Sequence, residues 1–205
     1  MPRTPIIDPE RSYSFSDYFK LNFAPQDILA YFKVELQRCR LELPRYPGPL
    51  DRLADLKARI NETLPRISLT SEMARREFLI APVLTDLLYY TAAMLNVEYP
   101  ISVSDQLKGS LDYLLQNEQT FLVIGAKNED LERGFVQLAI ELIALDQWLD
   151  SEESILFGAI STGNIWQFGQ FDRTARQITQ DLNLYRVPTD LDELFPILIQ
   201  ILQPQ

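Results

Sequence analysis

Four polar residues interrupt largely apolar segments in a way that could do chemistry. They are Glu77 in RREFLIAPV, Asp112 in GSLDYLL, Lys127 at the end of FLVIGAK, and Gln137 in GFVQLAIE. Carboxylates at the mouths of adjacent strands can hold a divalent cation through oxygen. Such an ion offsets charge on a transferring phosphate and ionises a bound water. A lysine on the same sheet face can stabilise the charge that develops. Each residue also has a plainer place. Asp112 and Lys127 can be ordinary strand and strand-end residues, and Glu77, after Arg75 and Arg76, a solvated helix charge. Gln137 and Glu141 can be boundary residues beside an apolar stripe. What separates the two readings is the set of elements that position these residues.

From Thr70 the pattern predicts a helix over 70–96, capped by Thr70 or Ser71, with Glu72 in its first turn and a kink at Pro82. Strands are expected over 97–103, 108–115 and 120–127, the last two joined as a hairpin across 116–119. A helix over 130–149 carries the stripe Leu131, Phe135, Leu138, Leu142, Leu145 and Leu149. Strands over 154–161 and 165–171 and a helix over 191–202 follow. The run Phe121-Leu122-Val123-Ile124 is apolar on both strand phases and so wants cover on both faces. Residues 1–66 read as an accessory region: an aromatic patch (Phe15, Tyr18, Phe19, Phe23), a short helix from Pro25, a bulged strand over 33–43 and a helix over 50–65. Residues 67–205 read as the core.

This order, with an acid on one strand and a lysine ending the next, resembles the PD-(D/E)XK nuclease superfamily over about residues 70–171. The resemblance implies an α/β (α+β) fold with a restriction-endonuclease-like αβββαβ core, a central mixed sheet flanked by helices. Residue by residue, it implies Asp112 as the first acid, Lys127 as the lysine, and Ala126 as a backbone-carbonyl ligand. Glu77 would match the helix carboxylate, and Gln137 the glutamine on the helix after the lysine. The implied cofactor is Mg²⁺ or Mn²⁺, bound by Asp112, Glu77 and Ala126. The implied partner is DNA.

The sequence departs from the pattern at one position. The second acid belongs two residues before Lys127, where Gly125 stands. Three explanations are open: an inactive site, a carboxylate that has moved to Glu141, Glu129 or Glu77, or an isolated substitution. The expected function is a Mg²⁺-dependent nuclease-like protein acting on DNA phosphodiesters with an incomplete active site. The alternative is a catalytically inactive nuclease-fold protein that binds nucleic acid or another protein. A homodimer through the N-terminal aromatics and the strand over 165–171 is compatible with either.

Composition narrows the chemistry. The 205 residues contain no histidine and one cysteine, which excludes Ser-His and Cys-His catalysis within the chain and a Cys/His zinc site. Any metal is then bound by oxygen. A lone Cys39 and the absence of an apolar leader lead to a cytoplasmic expectation, and no apolar run approaches a membrane span. The net charge of −10 is unfavourable for a phosphate partner, but residues 33–76 hold ten basic against six acidic residues. That flank is expected either to contact a phosphate backbone or to be a solvated face.

Overall fold

The apolar strand-forming runs become the middle of one sheet, and the amphipathic segments pack on its two faces. A computed structural model describes residues 6–117, 120–126 and 130–203. Its elements are α1 (Phe15–Lys20), α2 (Pro25–Tyr31), β1 (Glu35–Cys39), α3 (Leu53–Thr63), α4 (Glu72–Arg75), α5 (Ala81–Tyr90), β2 (Met94–Ser104), β3 (Leu107–Gln116) and β4 (Phe121–Ala126). They continue with α6 (Leu131–Trp148), β5 (Ile155–Ser161), β6 (Ile165–Asp172), β7 (Gln177–Asp181), β8 (Tyr185–Arg186) and α7 (Leu191–Ile201). The sheet is mixed and has eight strands, in the order β1-β7-β6-β5-β4-β3-β2, with β8 paired to β6.

Two pairs are parallel, β4 with β5 and β1 with β7; the others are antiparallel. The connection between β4 and β5 is α6, the helical crossover that a parallel pair requires. One face of the sheet packs against α3, α5 and α7, through Tyr113, Leu115, Leu122, Ile124, Trp166 and Phe168. The other packs against α1, α2 and α6, through Leu114, Val123, Leu156, Ile160, Phe171 and Ile178. Strand residues such as Val123 and Ile124 thus serve opposite cores, as the period of two demands. α6 lies close to the sheet because two glycines face it: a Cβ on Gly158 would meet Leu138 at 2.8 Å and one on Gly169 would meet Phe135 at 2.7 Å.

Three features differ from the sequence expectation. The helix expected over 70–96 is three pieces: α4, one π-helical turn over Arg76–Ile80, and α5, after which β2 begins at Met94. Pro82 has no N–H to return to the preceding turn, and the wider turn lies directly before it. β7 and β8 were not expected, because QITQD carries a single apolar residue, Ile178. The N-terminal region is not separate from the sheet, since β1 forms its outer edge beside β7. Trp166, Phe168 and Phe171 have no exposed surface, so these aromatics of β6 belong to the core. Among the described residues no helix is long and apolar enough to cross a membrane.

Candidate functional site

Asp112 and Gln137 line one cleft of about 470 Å³ between α1, α4, β3 and α6. β3 and β4 pair as far as Tyr113 and Ile124, so Asp112 and Gly125 are the next positions along the two strands. There the backbone N–H of Ala126 donates to Asp112 Oδ2 at 2.8 Å. The carboxylate thus takes the place of the next ladder acceptor. Ala126 itself is buried.

The helix carboxylate that reaches this cleft is Glu72. Ser71 caps α4, its Oγ accepting from the N–H of Ala74 at 3.1 Å, and Glu72 occupies the first turn. Glu77 lies in the π-helical turn, is exposed, and is not part of the cleft lining. The available signal for Glu72 was its place directly after a capping serine, which fixes where the helix starts but not what its first turn faces. Lys127 and Glu129 lie outside the described residues.

Gln137 and Glu141 stand one turn apart on the buried side of α6. Gln137 is 7% exposed and Glu141 has no exposed surface. Gln137 Nε2 donates to Glu141 Oε1 at 2.7 Å. Glu141 is therefore behind Gln137 and is not a lining residue of the cleft.

The remaining wall is α1. Ser14 and Asp17 cap it: the Ser14 N–H and hydroxyl donate to Asp17 Oδ2 at 2.9 and 2.7 Å. Those two bonds hold the Asp17 carboxyl down at about 2, against an ordinary 3.8. The segment is tied to the β2–β3 hairpin at several points. Tyr13 N–H donates to Asp105 O at 2.8 Å, Tyr18 Oη to Gln106 O at 2.7 Å, and Gln106 Nε2 to Pro9 O at 2.9 Å. Burial pushes the Tyr18 phenol well above its usual range. Phe15 lies over Gly109, where φ is +150° and a Cβ would meet the ring at 2.7 Å. Phe19 and Lys20 then face the cleft.

By kind, the oxygen donors of the cleft fit a hard cation. By number they fall short: among the described residues no group of three or more acidic or sulfur ligands converges closely enough to hold a metal ion. The sequence matches no family model and no curated protein at a significant level.

The basic flank is largely neutralised from within. Arg38 pairs with Glu132 at 2.8 Å, Arg45 with Glu193 at 3.3 Å, Arg59 with Asp86 at 2.9 Å, and Arg76 with Glu98 at 3.0 Å. Lys57 pairs with Asp192. Among the described residues, at least five of the ten cations thus answer acids of this same chain, which weakens the case for a continuous phosphate track.

A second cleft, of about 590 Å³, opens on the α7 side, with Leu41, Arg45, Asn183, Tyr185 and Arg186 in its walls. Behind it lies Asp181, with no exposed surface. Its Oδ1 accepts from Leu41 N at 3.1 Å, Asn183 N at 2.9 Å and Asn183 Nδ2 at 3.0 Å. Its Oδ2 has no hydrogen-bond partner among the described residues. Burial raises the Asp181 carboxyl above its ordinary value despite these donors.

Proposed function

We propose that the chain is a nuclease-like protein on the restriction-endonuclease-like plan, with DNA phosphodiesters as its substrate class and a metal centre one carboxylate short. The observation that carries this reading is the meeting of Asp112, Glu72 and Gln137 in one cleft, at the strand position where Asp112 faces Gly125. Further support comes from the antiparallel β2–β3–β4 meander followed by the β4–α6–β5 parallel crossover, the connectivity that the resemblance implies.

Mg²⁺ or Mn²⁺ would be held by Asp112 and Glu72 and would supply charge compensation at a phosphate and an ionised water; Ala126, whose carbonyl the resemblance assigns as a further ligand, is buried and outside the cleft lining. Asp112 brings one anionic ligand, and its Oδ2 is already shared with the Ala126 N–H. Glu72 brings the second from a capped helix end. Gln137 orients a polar group at the rim, and Lys127 is assigned by the resemblance to stabilising developing charge. Gly125 brings nothing, so the donor set of this chain falls below what near-octahedral Mg²⁺ requires.

The test is cleavage of single- and double-stranded DNA with Mg²⁺ and Mn²⁺ by three proteins: the chain itself, Gly125→Glu, and Gly125→Glu with Asp112→Ala. The expected result is cleavage by Gly125→Glu alone. Cleavage by the unaltered chain would mean that its centre is complete by another route. No cleavage by any of the three would overturn the nuclease reading. It would leave the reading of a binding module, which the Asp112–Ala126 bond favours.

A further inference from the structure

The cleft on the α7 side has in its wall a tyrosine that is incomplete as a hydrogen-bonding group. Tyr185 is 6% exposed, and its ring packs edge-on against Phe168 with centroids 5.6 Å apart. It nevertheless lines the cleft. Among the described residues nothing hydrogen-bonds its hydroxyl, although a buried phenol usually finds a partner. Burial, and after it the nearby Asp181 carboxylate, hold the phenol above its ordinary range. It therefore stays neutral and keeps an oxygen lone pair to offer.

The charges around that hydroxyl choose the sign of a partner. Glu42, Asp190 and Glu193 line the cleft against Arg45 and Arg186. Arg186 is taken up by Asp190, through contacts of 2.9 and 3.0 Å. Arg45 reaches Glu193 at 3.3 Å with both side chains more than half exposed, a pair of the kind that contributes little. Glu42 is exposed and pairs with no cation among the described residues. The cleft is thus left with one unpaired acid and one acid held loosely. These acids do not make a metal site, since among the described residues no group of three or more acidic or sulfur ligands could hold an ion. A cation with its own N–H donors needs no such shell, and answers carboxylates and a neutral oxygen together.

We propose that this cleft binds a primary ammonium group, which donates to the Tyr185 oxygen and takes Glu193 and Glu42 as its counter-charges. Arg45 is then the competing cation, which the ligand displaces from Glu193. Free polyamines and the lysine side chain of another protein share this chemistry, and the test separates them. The cleft has no lining residue in common with that of Asp112, so the proposal does not depend on the nuclease-like reading.

The experiment is isothermal titration calorimetry of the full chain in about 0.15 M salt, which screens loose attraction between exposed charges. The probes are putrescine and Nα-acetyl-lysine methylamide, with inorganic phosphate as the control of opposite sign. One equivalent of an ammonium probe is expected to bind. Tyr185→Phe removes only the hydroxyl and is expected to weaken binding about tenfold. It should not lower the melting temperature, because that hydroxyl bonds nothing in the free protein. Glu193→Gln is expected to weaken binding by a similar factor. Arg45→Gln is expected to tighten it about threefold, because it frees Glu193.

Binding of putrescine alone assigns the site to polyamines, and binding of the lysine derivative alone to a lysine side chain; either result, or both together, supports the proposal. No binding of either probe up to about 10 mM overturns it. So does unchanged affinity in Tyr185→Phe, the result that diffuse attraction to an acidic surface would give. Binding of phosphate in their place, weakened by Arg45→Gln, overturns the sign of the ligand. If Glu193→Gln disturbs α7, Tyr185→Phe and Arg45→Gln decide the matter on the same readout.

Discussion

Among the described residues two carboxylates have no exposed surface, Glu141 on the α6 side of the sheet and Asp181 on the α7 side, and they meet different groups. Asp181 spends one oxygen on three N–H groups, two of them backbone, and so ties the exit of β1 at Leu41 to the turn after β7 at Asn183. Glu141 takes the amide of a residue that lines a cleft containing two further acids. Each lies one layer behind a cleft. Burial alone therefore does not tell what a carboxylate does; the groups it meets do.

The sharpest way to break that contrast is Asp181→Ala. It leaves three donors without their acceptor in a buried place, and the expected loss is about 3 kcal/mol in urea unfolding. A loss below about 1 kcal/mol would show that water reaches the position. Next is Gly109→Ala, which sets a methyl against the Phe15 ring at a backbone angle that side chains rarely adopt. Its expected cost is about 2 kcal/mol, with α1 loosened from the cleft wall and faster proteolysis before residue 22. An unchanged melting temperature would mean that α1 is not held as described.

Asp181→Asn acts in the opposite direction. It keeps the acceptor for the three N–H groups and removes a charge that burial disfavours. The folded-state carboxyl lies above its unfolded value of 3.8. Its favourable contribution is therefore present below that value and is lost as pH rises through the folded value. At pH 7 the asparagine variant is expected to be more stable by about 1 kcal/mol, and the gap should close as pH falls below 4. A gap that widens in acid would refute the assignment. The smallest effect is expected from Glu72→Gln, within about 0.5 kcal/mol of the parent, because its side chain lines the cleft and is not part of the core. A larger loss would make Glu72 a structural residue.

How much of this was legible in the sequence depends on the element. α6, β3 and β4 were visible because apolar periodicity determines both their type and their buried faces, and the pairing of Asp112 with the cleft followed from its strand. β7 was not, because its buried positions include Thr179, Gln180 and Asp181, polar residues that only tertiary partners make affordable. Glu72 and Glu77 sit five residues apart on one expected helix; which of them meets the cleft depends on where that helix starts and how it packs, and neither is a local property. The charge of the 33–76 flank was counted correctly but not its use. Arg38 and Glu132 are 94 residues apart in the chain, and Arg45 and Glu193 148 apart, so their neutralisation exists only in the fold.

The parallel pairing of β1 with β7 has a consequence for how the chain must be handled and made. Arg38 and its partner Gln180 are separated by 142 residues, so during synthesis the first strand waits for nearly the whole chain before it has a neighbour. Contacts of that span slow folding and lengthen exposure to misassembly. Trimming the first 66 residues to obtain a minimal domain would strip the outer strand from β7, leave its backbone donors and acceptors bare, and present a sheet edge on which a second molecule can add.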